Sequence, residues 1–279
     1  FFSNLEQAML DHAAVSHQNF QLEILESSAL GDLDTIAHVI KQCRDKLGVN
    51  VALDDFGTGY SSLTHLRSLP ANTIKIDQSF VRDMLDDPSD YAIIEGVIGL
   101  AKSFGRGVIA EGVETTEHGL MLLIMGCYEA QGYGIAKPMP VDEVLNWLQS
   151  YTANKQWLNA ANKPQSRKER RIKLLTLTSE QWYKKFTDKV LNTSSTAITW
   201  PIDNSVKCHI GRWIQRTKHE RVFDAVWLEK VDKIHTEMHE IANEIIFLYQ
   251  ENKHNEARQG LPALELVFDK MKQVLGEWE

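Results

Sequence analysis

The sequence predicts an α/β fold, a partial TIM-like (β/α) barrel, followed by a small α-helical bundle. Up to about residue 150, short apolar segments alternate with amphipathic helical segments, which is typical of βα units around a parallel sheet. From about residue 174 the strand pattern ends, and apolar residues recur at spacings of three and four, as in packed helices. We therefore predict a barrel domain over residues 1–152, a linker over 153–173 and a four-helix bundle over 174–279.

Five short apolar segments of the first region are predicted to be parallel strands. They cover residues 20–24, 49–53, 73–76, 107–110 and 129–135. The amphipathic segments between them are predicted to be helices, over residues 33–47, 91–104 and 116–125. Because a closed barrel of this type has about eight strands, these five are expected to form only part of one.

The segment after the barrel turns polar and basic. It contains Pro164 and a charged run at residues 167–171, which is typical of a linker. Helices are then predicted around residues 182–191, 210–214 and 261–275 and along one long apolar stripe. This stripe consists of Leu228, Val231, Ile234, Met238, Ile241, Ile245 and Leu248. We expect the stripes to form the core of the bundle and a homodimer interface.

Charge and cysteine content limit the classes of function. The net charge of −8 argues against binding to the backbone of DNA. Cys43, Cys127 and Cys208 are odd in number and far apart, which predicts no disulfide framework and a cytoplasmic location. No apolar run approaches the roughly 18 residues of a membrane span, so no membrane segment is predicted. Because the chain starts at Phe1 instead of Met, we expect it to be part of a longer protein.

Two adjacent carboxylates, Asp54 and Asp55, follow a predicted strand and precede a Gly-rich turn. Neighbouring anions are tolerated most easily when cations neutralise them, and hard oxygen ligands favour Mg²⁺ or Mn²⁺. One carboxylate can bridge two such ions while its neighbour holds the second, an arrangement that suits phosphodiester hydrolysis. In that chemistry Lys75 is a candidate to orient the attacking water, and Glu111 is a candidate to accept its proton.

Further polar residues lie at the ends of the predicted strands. They are Glu23, Glu26, Asp77, Glu114 and Gln131. A single carboxylate at a strand end is ordinarily a turn or helix cap. Asp77 and Glu114 fit that role as well as a supporting role beside metal ligands. Gly57 and Gly59 are predicted to serve the geometry of the turn itself.

Five ordered segments resemble the EAL-domain phosphodiesterases, a family that hydrolyses the bacterial second messenger cyclic di-GMP. They are Leu22-Glu23-Ile24-Leu25-Glu26-Ser27, residues 54–63, Lys75-Ile76-Asp77-Gln78-Ser79-Phe80, Ala110-Glu111-Gly112-Val113-Glu114-Thr115 and Gln131-Gly132-Tyr133. The resemblance assigns a role to most of these strand-end residues. The roles are metal ligation for Glu23, Asp54 and Asp55, water positioning for Lys75, catalytic base for Glu111, support of the same site for Gln131, and anchoring of the Asp-Asp loop for Glu26.

The resemblance implies hydrolysis of cyclic di-GMP to linear pGpG with two Mg²⁺ or Mn²⁺ ions, and a loop that couples the site to a dimer interface. The Glu-Ala-Leu tripeptide of the family, and an Asn that follows it, are absent from the chain. We therefore expect a longer parent protein to be active and this chain alone to be inactive. The alternative is a signalling module that binds cyclic di-GMP or a protein partner without catalysis.

A second group of residues, Cys208, His235 and His239, suggests a soft-metal site. The two histidines lie one helical turn apart on one face, which suits zinc but also fits ordinary buried histidines. With Trp182 and the Gly-Arg-Trp at residues 211–213, the group resembles the chemoreceptor zinc-binding family, whose helical domain regulates cyclic di-GMP enzymes. The resemblance implies that these three residues bind Zn²⁺ and that the domain senses zinc.

The fourth zinc ligand of that family, a histidine in the first helix, is absent from residues 174–192. Ser179 takes its place. Three alternatives remain open: water completes the site, His209 or His219 substitutes, or the bundle dimerises without sensing metal. Because a ligand is lost from a four-coordinate site, we expect weaker zinc binding than in the family.

Overall fold

The computed structural model describes residues 1–30, 33–58, 63–162, 166–192, 200, 204–220 and 222–278. The chain divides into two compact units. The N-terminal unit comprises Phe1–Met84 with Ser89–Asn162, and the C-terminal unit comprises Leu85–Pro88 with Lys163–Glu279. Among the described residues, no helix combines the length and apolar character needed to cross a membrane. Gly59 and the rest of residues 59–62 in the predicted Gly-rich turn lie outside the described residues.

The N-terminal unit is built on a parallel sheet of five strands that lie side by side in chain order. The strands are β1 (Gln21–Leu25), β2 (Asn50–Phe56), β3 (Thr73–Ile76), β4 (Gly107–Ala110) and β5 (Glu129–Ala130). Neighbouring strands run parallel throughout, which confirms the predicted α/β class. The central strands are the most deeply buried, with Val51, Leu53, Ile74 and Ile76 at most 2% exposed.

Helices connect and flank these strands. They are α1 (Phe2–Asp11), α2 (Leu33–Gln42), α3 (Leu63–Ser68), α4 (Gln78–Asp83), α5 (Pro88–Ser103), α6 (Thr116–Met125), α7 (Val141–Ser150) and α8 (Lys155–Asn162). Thr115 caps α6 by accepting a hydrogen bond from the backbone of His118, and Gly126 ends the helix in the left-handed conformation. The sequence therefore encodes both ends of α6, whose bounds agree with the prediction.

The predicted strand at residues 129–135 is wrong beyond Ala130. A Cβ atom on Gly132 would lie 2.3 Å from the backbone nitrogen of Val113, so the two backbones touch. Gly134 then donates a backbone hydrogen bond of 2.8 Å to the Val113 carbonyl. The segment after β5 is consequently a loop that packs against the loop after β4. The pattern of apolar residues in the sequence does not predict this contact.

The predicted linker at residues 153–173 is instead mostly helical, because it contains α8 and the first turns of the next helix. Trp157 of α8 donates a hydrogen bond from its indole nitrogen to the Thr116 carbonyl at 2.8 Å. The next helix begins with a capping box between Ser166 and Glu169. The packing of Trp157 stabilises α8, and the capping box stabilises the start of the next helix. The polar composition of the segment does not indicate either helix.

The C-terminal unit is helical in its described residues. Its helices are α9 (Arg167–Leu191), α10 (His209–Glu220), α11 (Ala225–Gln250), α12 (His254–Gln259) and α13 (Leu261–Gly276). One hydrophobic cluster joins them, and Val231, Met238 and Ile245 of the predicted apolar stripe lie buried in it. A Cβ atom on Gly211 would lie 1.8 Å from the Ser205 carbonyl oxygen, so only glycine permits this close approach in α10.

Candidate functional site

The polar residues of the predicted phosphodiesterase site meet at the carboxyl ends of the strands. Leu25 of β1 pairs with Asp54 of β2, and Ile76 of β3 pairs with Ala110 of β4. Because the strands are parallel, residues that end or follow them reach the same edge of the sheet. The residues brought to this edge are Glu23, Asp54, Asp55, Lys75, Glu111 and Gln131.

Lys75 is the centre of this arrangement. Its side chain is 5% exposed, and its ammonium lies 2.9 Å from Glu23 Oε1, 2.9 Å from Asp54 Oδ1 and 2.7 Å from Glu111 Oε1. Burial by itself would lower the pKa of Lys75, but the hydrogen bonds to Glu111, Glu23 and Asp54 raise it above its ordinary value. Lys75 therefore stays charged and holds three carboxylates at one point.

Glu111 is held by partners from two neighbouring strands. Its Oε1 atom accepts the hydrogen bond of Gln131 Nε2 at 2.6 Å as well as that of Lys75. The backbone nitrogen of Glu111 donates to the Ile76 carbonyl at 3.1 Å, which extends the β3–β4 pairing by one residue. Burial raises the pKa of the Glu111 carboxyl despite the opposing effect of Lys75. Glu111 thus binds a proton more readily than an ordinary glutamate does.

Asp55 has an unusual backbone and an acidic neighbourhood. Its φ of 54° lies in the left-handed region, which non-glycine residues rarely adopt and which asparagine and aspartate tolerate best. Burial, the charges of Asp54 and Asp77, and a hydrogen bond with Asp77 raise the pKa of Asp55. Asp77 also caps α4 by accepting the backbone hydrogen bond of Ser79 at 2.9 Å, so its predicted capping role is present together with its contact to Asp55.

Three carboxylates are arranged as a divalent cation requires. Oxygen atoms of Asp54, Asp55 and Glu111 all lie within 4.8 Å of one another. These are hard ligands of the kind that Mg²⁺ and Mn²⁺ prefer, so the residues fit the predicted ions. Glu23 is outside this group of three and pairs with Lys75 instead.

Glu26 fixes the loop that follows β2. It is 4% exposed, and its Oε2 atom accepts a hydrogen bond from the backbone of Gly57 at 2.8 Å. Gly57 has a φ of 105°, and a Cβ atom there would lie 2.9 Å from the ring of Phe80. The contact is the one expected of a residue that anchors the Asp-Asp loop.

A cavity of about 490 Å³ adjoins Glu111 and Gln131. Tyr133 and Lys137 line it, and Lys137 had no signal in the sequence beyond following the last motif by a few residues. Glu114 also lines it, and the backbone nitrogen of Glu114 donates a hydrogen bond to Nδ1 of His118 in α6 at 3.4 Å. The cavity offers an aromatic ring and a cation beside the carboxylates.

A second cluster lies within the C-terminal unit. Cys208 Sγ is 3.0 Å from His235 Nε2, and both lie within 4.8 Å of a ring nitrogen of His239. All three side chains are buried. Burial raises the pKa of the Cys208 thiol to about 11, and burial together with His239 lowers the pKa of His235 to about 3. The neutral imidazole of His235, the imidazole of His239 and one sulfur therefore face each other, as in zinc sites.

The alternatives for a fourth zinc ligand differ in position. Ser179 lies on the same cavity as the three residues of the cluster, and its hydroxyl donates to the Leu175 carbonyl at 2.6 Å. His209 also lines that cavity but is outside the cluster of three. His219 is exposed and lies about 15 Å further along α10, which excludes it.

Comparisons with known proteins concern the N-terminal unit. The family model of the EAL domain matches residues 1–138. The cyclic di-GMP phosphodiesterase PA2567 of Pseudomonas aeruginosa is 44% identical over 128 residues, which are 46% of this chain and 22% of that protein. The bifunctional diguanylate cyclase/cyclic di-GMP phosphodiesterase MucR of the same organism is 36% identical over 142 residues, 51% of this chain and 20% of that protein.

A solved structure shows the same relationship. The EAL domain of Mycobacterium smegmatis DcpA aligns with a TM-score of 0.50 and 40% sequence identity, covering 53% of this chain and 66% of that chain. The chain spans about a fifth of the length of the two curated relatives, 22% and 20%. Together these matches show that residues 1–138 are similar to the EAL domain and to cyclic di-GMP phosphodiesterases.

Proposed function

We propose that the protein hydrolyses cyclic di-GMP to linear pGpG with two Mg²⁺ or Mn²⁺ ions at the edge of the sheet. The observation that carries this proposal is the convergence of Asp54, Asp55 and Glu111 within 4.8 Å, beside the buried Lys75. Bound divalent ions would supply a nucleophilic water at neutral pH and neutralise charge on the phosphoryl oxygens. Asp54 and Asp55 are the residues that would hold them, with Glu23 as the further ligand implied by the family.

The chain's own residues supply the acid–base chemistry. Lys75 stays charged and presents its ammonium to the point where the carboxylates meet, which suits it to orient water and a phosphate oxygen. Glu111 has a raised pKa, so it takes a proton from water more readily than an ordinary carboxylate. Gln131 fixes the Glu111 carboxylate through the 2.6 Å hydrogen bond. Attack by water forms a new P–O bond and breaks the bond between phosphorus and the 3′ oxygen. Glu111 takes one proton of the water, the other stays on the new 5′ phosphate or is lost to solvent, and the leaving 3′ oxygen takes up a proton from solvent water.

The adjoining cavity suits a nucleotide. Tyr133 is 62% exposed, so its ring is available to stack on a base, and Lys137 supplies a cation for a phosphate. A cyclic dinucleotide bears two phosphates and two bases, which this combination matches. The substrate therefore extends from the carboxylates into the cavity beside Gln131.

The test is an assay of cyclic di-GMP hydrolysis by the protein at its natural length, with Mg²⁺ or Mn²⁺ and separation of the products. Glu111→Gln is expected to lower kcat by at least about a hundredfold, in line with the loss of a general base. Glu143→Gln, an exposed residue of α7, is the matched control and should leave kcat unchanged. Binding of cyclic di-GMP without turnover would support the non-catalytic module, and neither binding nor turnover would refute both.

For the C-terminal unit we propose a zinc site at Cys208, His235 and His239, in a domain that regulates the enzyme and forms a homodimer. The buried 3.0 Å approach of Cys208 to His235 supports this, since cysteine sulfur and histidine nitrogen are the usual protein ligands of zinc. Water or a fourth side chain such as His209 completes the coordination. With three protein ligands in the described cluster, the affinity is expected to be below that of closed four-ligand sites.

Zinc binding is tested by the metal content of the purified protein and by competition with a chromophoric chelator. Cys208→Ser should abolish stoichiometric zinc, whereas Cys43→Ser, a buried cysteine of the N-terminal unit, should not. Regulation is tested by comparing phosphodiesterase activity in zinc and in chelator. Equal activities in the two conditions would show that zinc does not regulate the enzyme. A monomeric mass by light scattering would show that the protein does not form the proposed homodimer.

A further inference from the structure

Helix α8 is fastened to the start of α6 inside the N-terminal unit. The indole of Trp157 lies directly on Gly119 of α6, where any Cβ atom would come within 2.4 Å of the ring. Glycine at this position therefore makes room for the indole, and a larger residue would displace α8. None of the side chains of α8 is fully buried, so its specific contacts with α6 contribute to holding the helix in place.

Two hydrogen bonds from α8 converge on one residue, Thr116. Trp157 Nε1 donates to its carbonyl oxygen at 2.8 Å, and Asn154 Nδ2 donates to its hydroxyl oxygen at 2.9 Å. The side-chain oxygen Oδ1 of Asn154 accepts the backbone hydrogen bond of Gln156 at 2.8 Å, so Asn154 also caps α8. The two donors are rigid because the helix that carries them is capped and packed.

Thr116 ends the loop that begins at Glu111. Within this loop, Val113 donates a backbone hydrogen bond to the Gln131 carbonyl at 3.0 Å, and Glu114 donates to His118 Nδ1 at 3.4 Å. The loop is therefore held by the segment after β5 on one side and by α8 at its end. A shift of Thr116 is transmitted to Glu111 across only a few residues.

An apolar cavity of about 230 Å³ lies between the loop and α8. Its wall on the side of the site includes Val113, Ala130 and Ile135, and its wall on the other side includes Tyr151, Trp157 and Leu158. Because side chains do not fill the space behind the loop, packing there contributes less to the position of the loop. The hydrogen bonds from α8 to Thr116 therefore act together with the backbone hydrogen bonds of Val113 to hold it.

We infer that Trp157 and Asn154 are positioning residues for Glu111. The inference rests on the proposed hydrolysis of cyclic di-GMP. It adds two residues that lie beyond the matched residues 1–138.

The experiment uses the full chain at natural length with Trp157→Phe, which keeps an aromatic ring and removes the indole N–H. Expected results are a fall in kcat of about tenfold with KM for cyclic di-GMP within about twofold, because a small displacement of a catalytic group acts on the chemical step. Hydrogen exchange should speed up in a peptide covering residues 111–118. Trp147→Phe on α7 is the matched control and should change neither.

A second variant separates positioning from folding. Asn154→Ser keeps a good helix cap and removes the amide that reaches Thr116, so it should reproduce the loss of kcat with little change in Tm. A lower Tm with unchanged kcat and unchanged exchange at 111–118 would show that α8 is only a structural helix and would overturn the inference. If the unmodified protein does not hydrolyse cyclic di-GMP, the proposed function fails, while the exchange measurement still decides whether α8 holds the loop.

Discussion

Lys75 Nζ lies 2.7 Å from Glu111 Oε1, which joins the ends of β3 and β4 through one buried ion pair. The same ammonium also contacts Glu23 and Asp54, so a single cation balances carboxylates from three other strand ends. Removing the Lys75 ammonium leaves like charges close together, whereas removing one carboxylate leaves the others paired with Lys75. Substitution of Lys75 should therefore lower the stability of the protein more than substitution of one of the carboxylates.

Lys75→Met is expected to lower the free energy of unfolding of the metal-free protein at pH 7 by about 2 to 3 kcal/mol. This is less than for a fully buried pair, because the Glu23 side chain is 46% exposed. The loss should shrink as the pH falls into the range where carboxylates protonate, since neutral carboxyls do not repel. Urea unfolding at several pH values measures this, with the exposed Lys102→Met as control. Equal stability of the variant and the unmodified protein would contradict the prediction.

Asp55→Asn should stabilise the metal-free protein. The pKa of Asp55 is raised in the folded state, so its unfavourable contribution is absent below the ordinary carboxyl pKa of about 4 and develops as the pH rises through the folded value. The gain from Asn should grow over that pH window and then stay constant. Asn also tolerates the φ of 54°, whereas Ala does not, so Asp55→Ala should gain less. Urea unfolding in the presence of a chelator, from pH 4 to 8, tests whether the Asn variant gains more stability than the Ala variant.

Glu26→Leu is expected to destabilise the loop after β2, because the backbone N–H of Gly57 would lose its acceptor. The expected cost is about 1 to 2 kcal/mol, the usual penalty for an unpaired group. Glu26→Gln keeps an acceptor oxygen of the same reach and should cost less than half as much. Thermal unfolding and kcat are measured on both variants. Leu and Gln variants with the same Tm would show that this hydrogen bond does not anchor the loop.

Zinc binding to the C-terminal unit should release about one proton per ion near pH 7. The Cys208 thiol, with a pKa of about 11, is protonated before binding, while His235, with a pKa of about 3, is already neutral. Calorimetric titration in buffers with different ionisation enthalpies measures the number of protons. Release of none, or of two, would mean that a different set of groups binds the metal.

Much of the candidate site could be predicted from sequence because it lies at the ends of strands. The bounds of β3 and β4 agree with the prediction to the residue, and parallel strands necessarily bring their carboxyl ends to one edge. Ser166 and Glu169 also have the spacing of a capping box, a local signal for the start of α9 that the predicted linker did not take into account.

Other features depended on contacts between segments distant in sequence. Whether Glu23 belongs with Asp54 and Asp55 or with Lys75 is a matter of a few ångströms that no spacing encodes. The end of β5 depends on the approach of Gly132 to Val113, and the helical state of α8 depends on Gly119. Each of these is a contact between residues 19 to 52 positions apart in the chain.

By itself, the sequence determined the α/β class, the parallel order of the strands and the residues at their carboxyl ends, because periodicity and glycine-rich turns are local properties. Only the tertiary structure decided that Lys75 contacts three carboxylates, that Glu26 accepts a hydrogen bond from the backbone of Gly57, and that Trp157 of α8 bonds to Thr116 at the end of the loop bearing Glu111. The physical reason is that charge pairing, burial and hydrogen bonding depend on the distance between groups in space. Residues that are close in space can be far apart in the sequence.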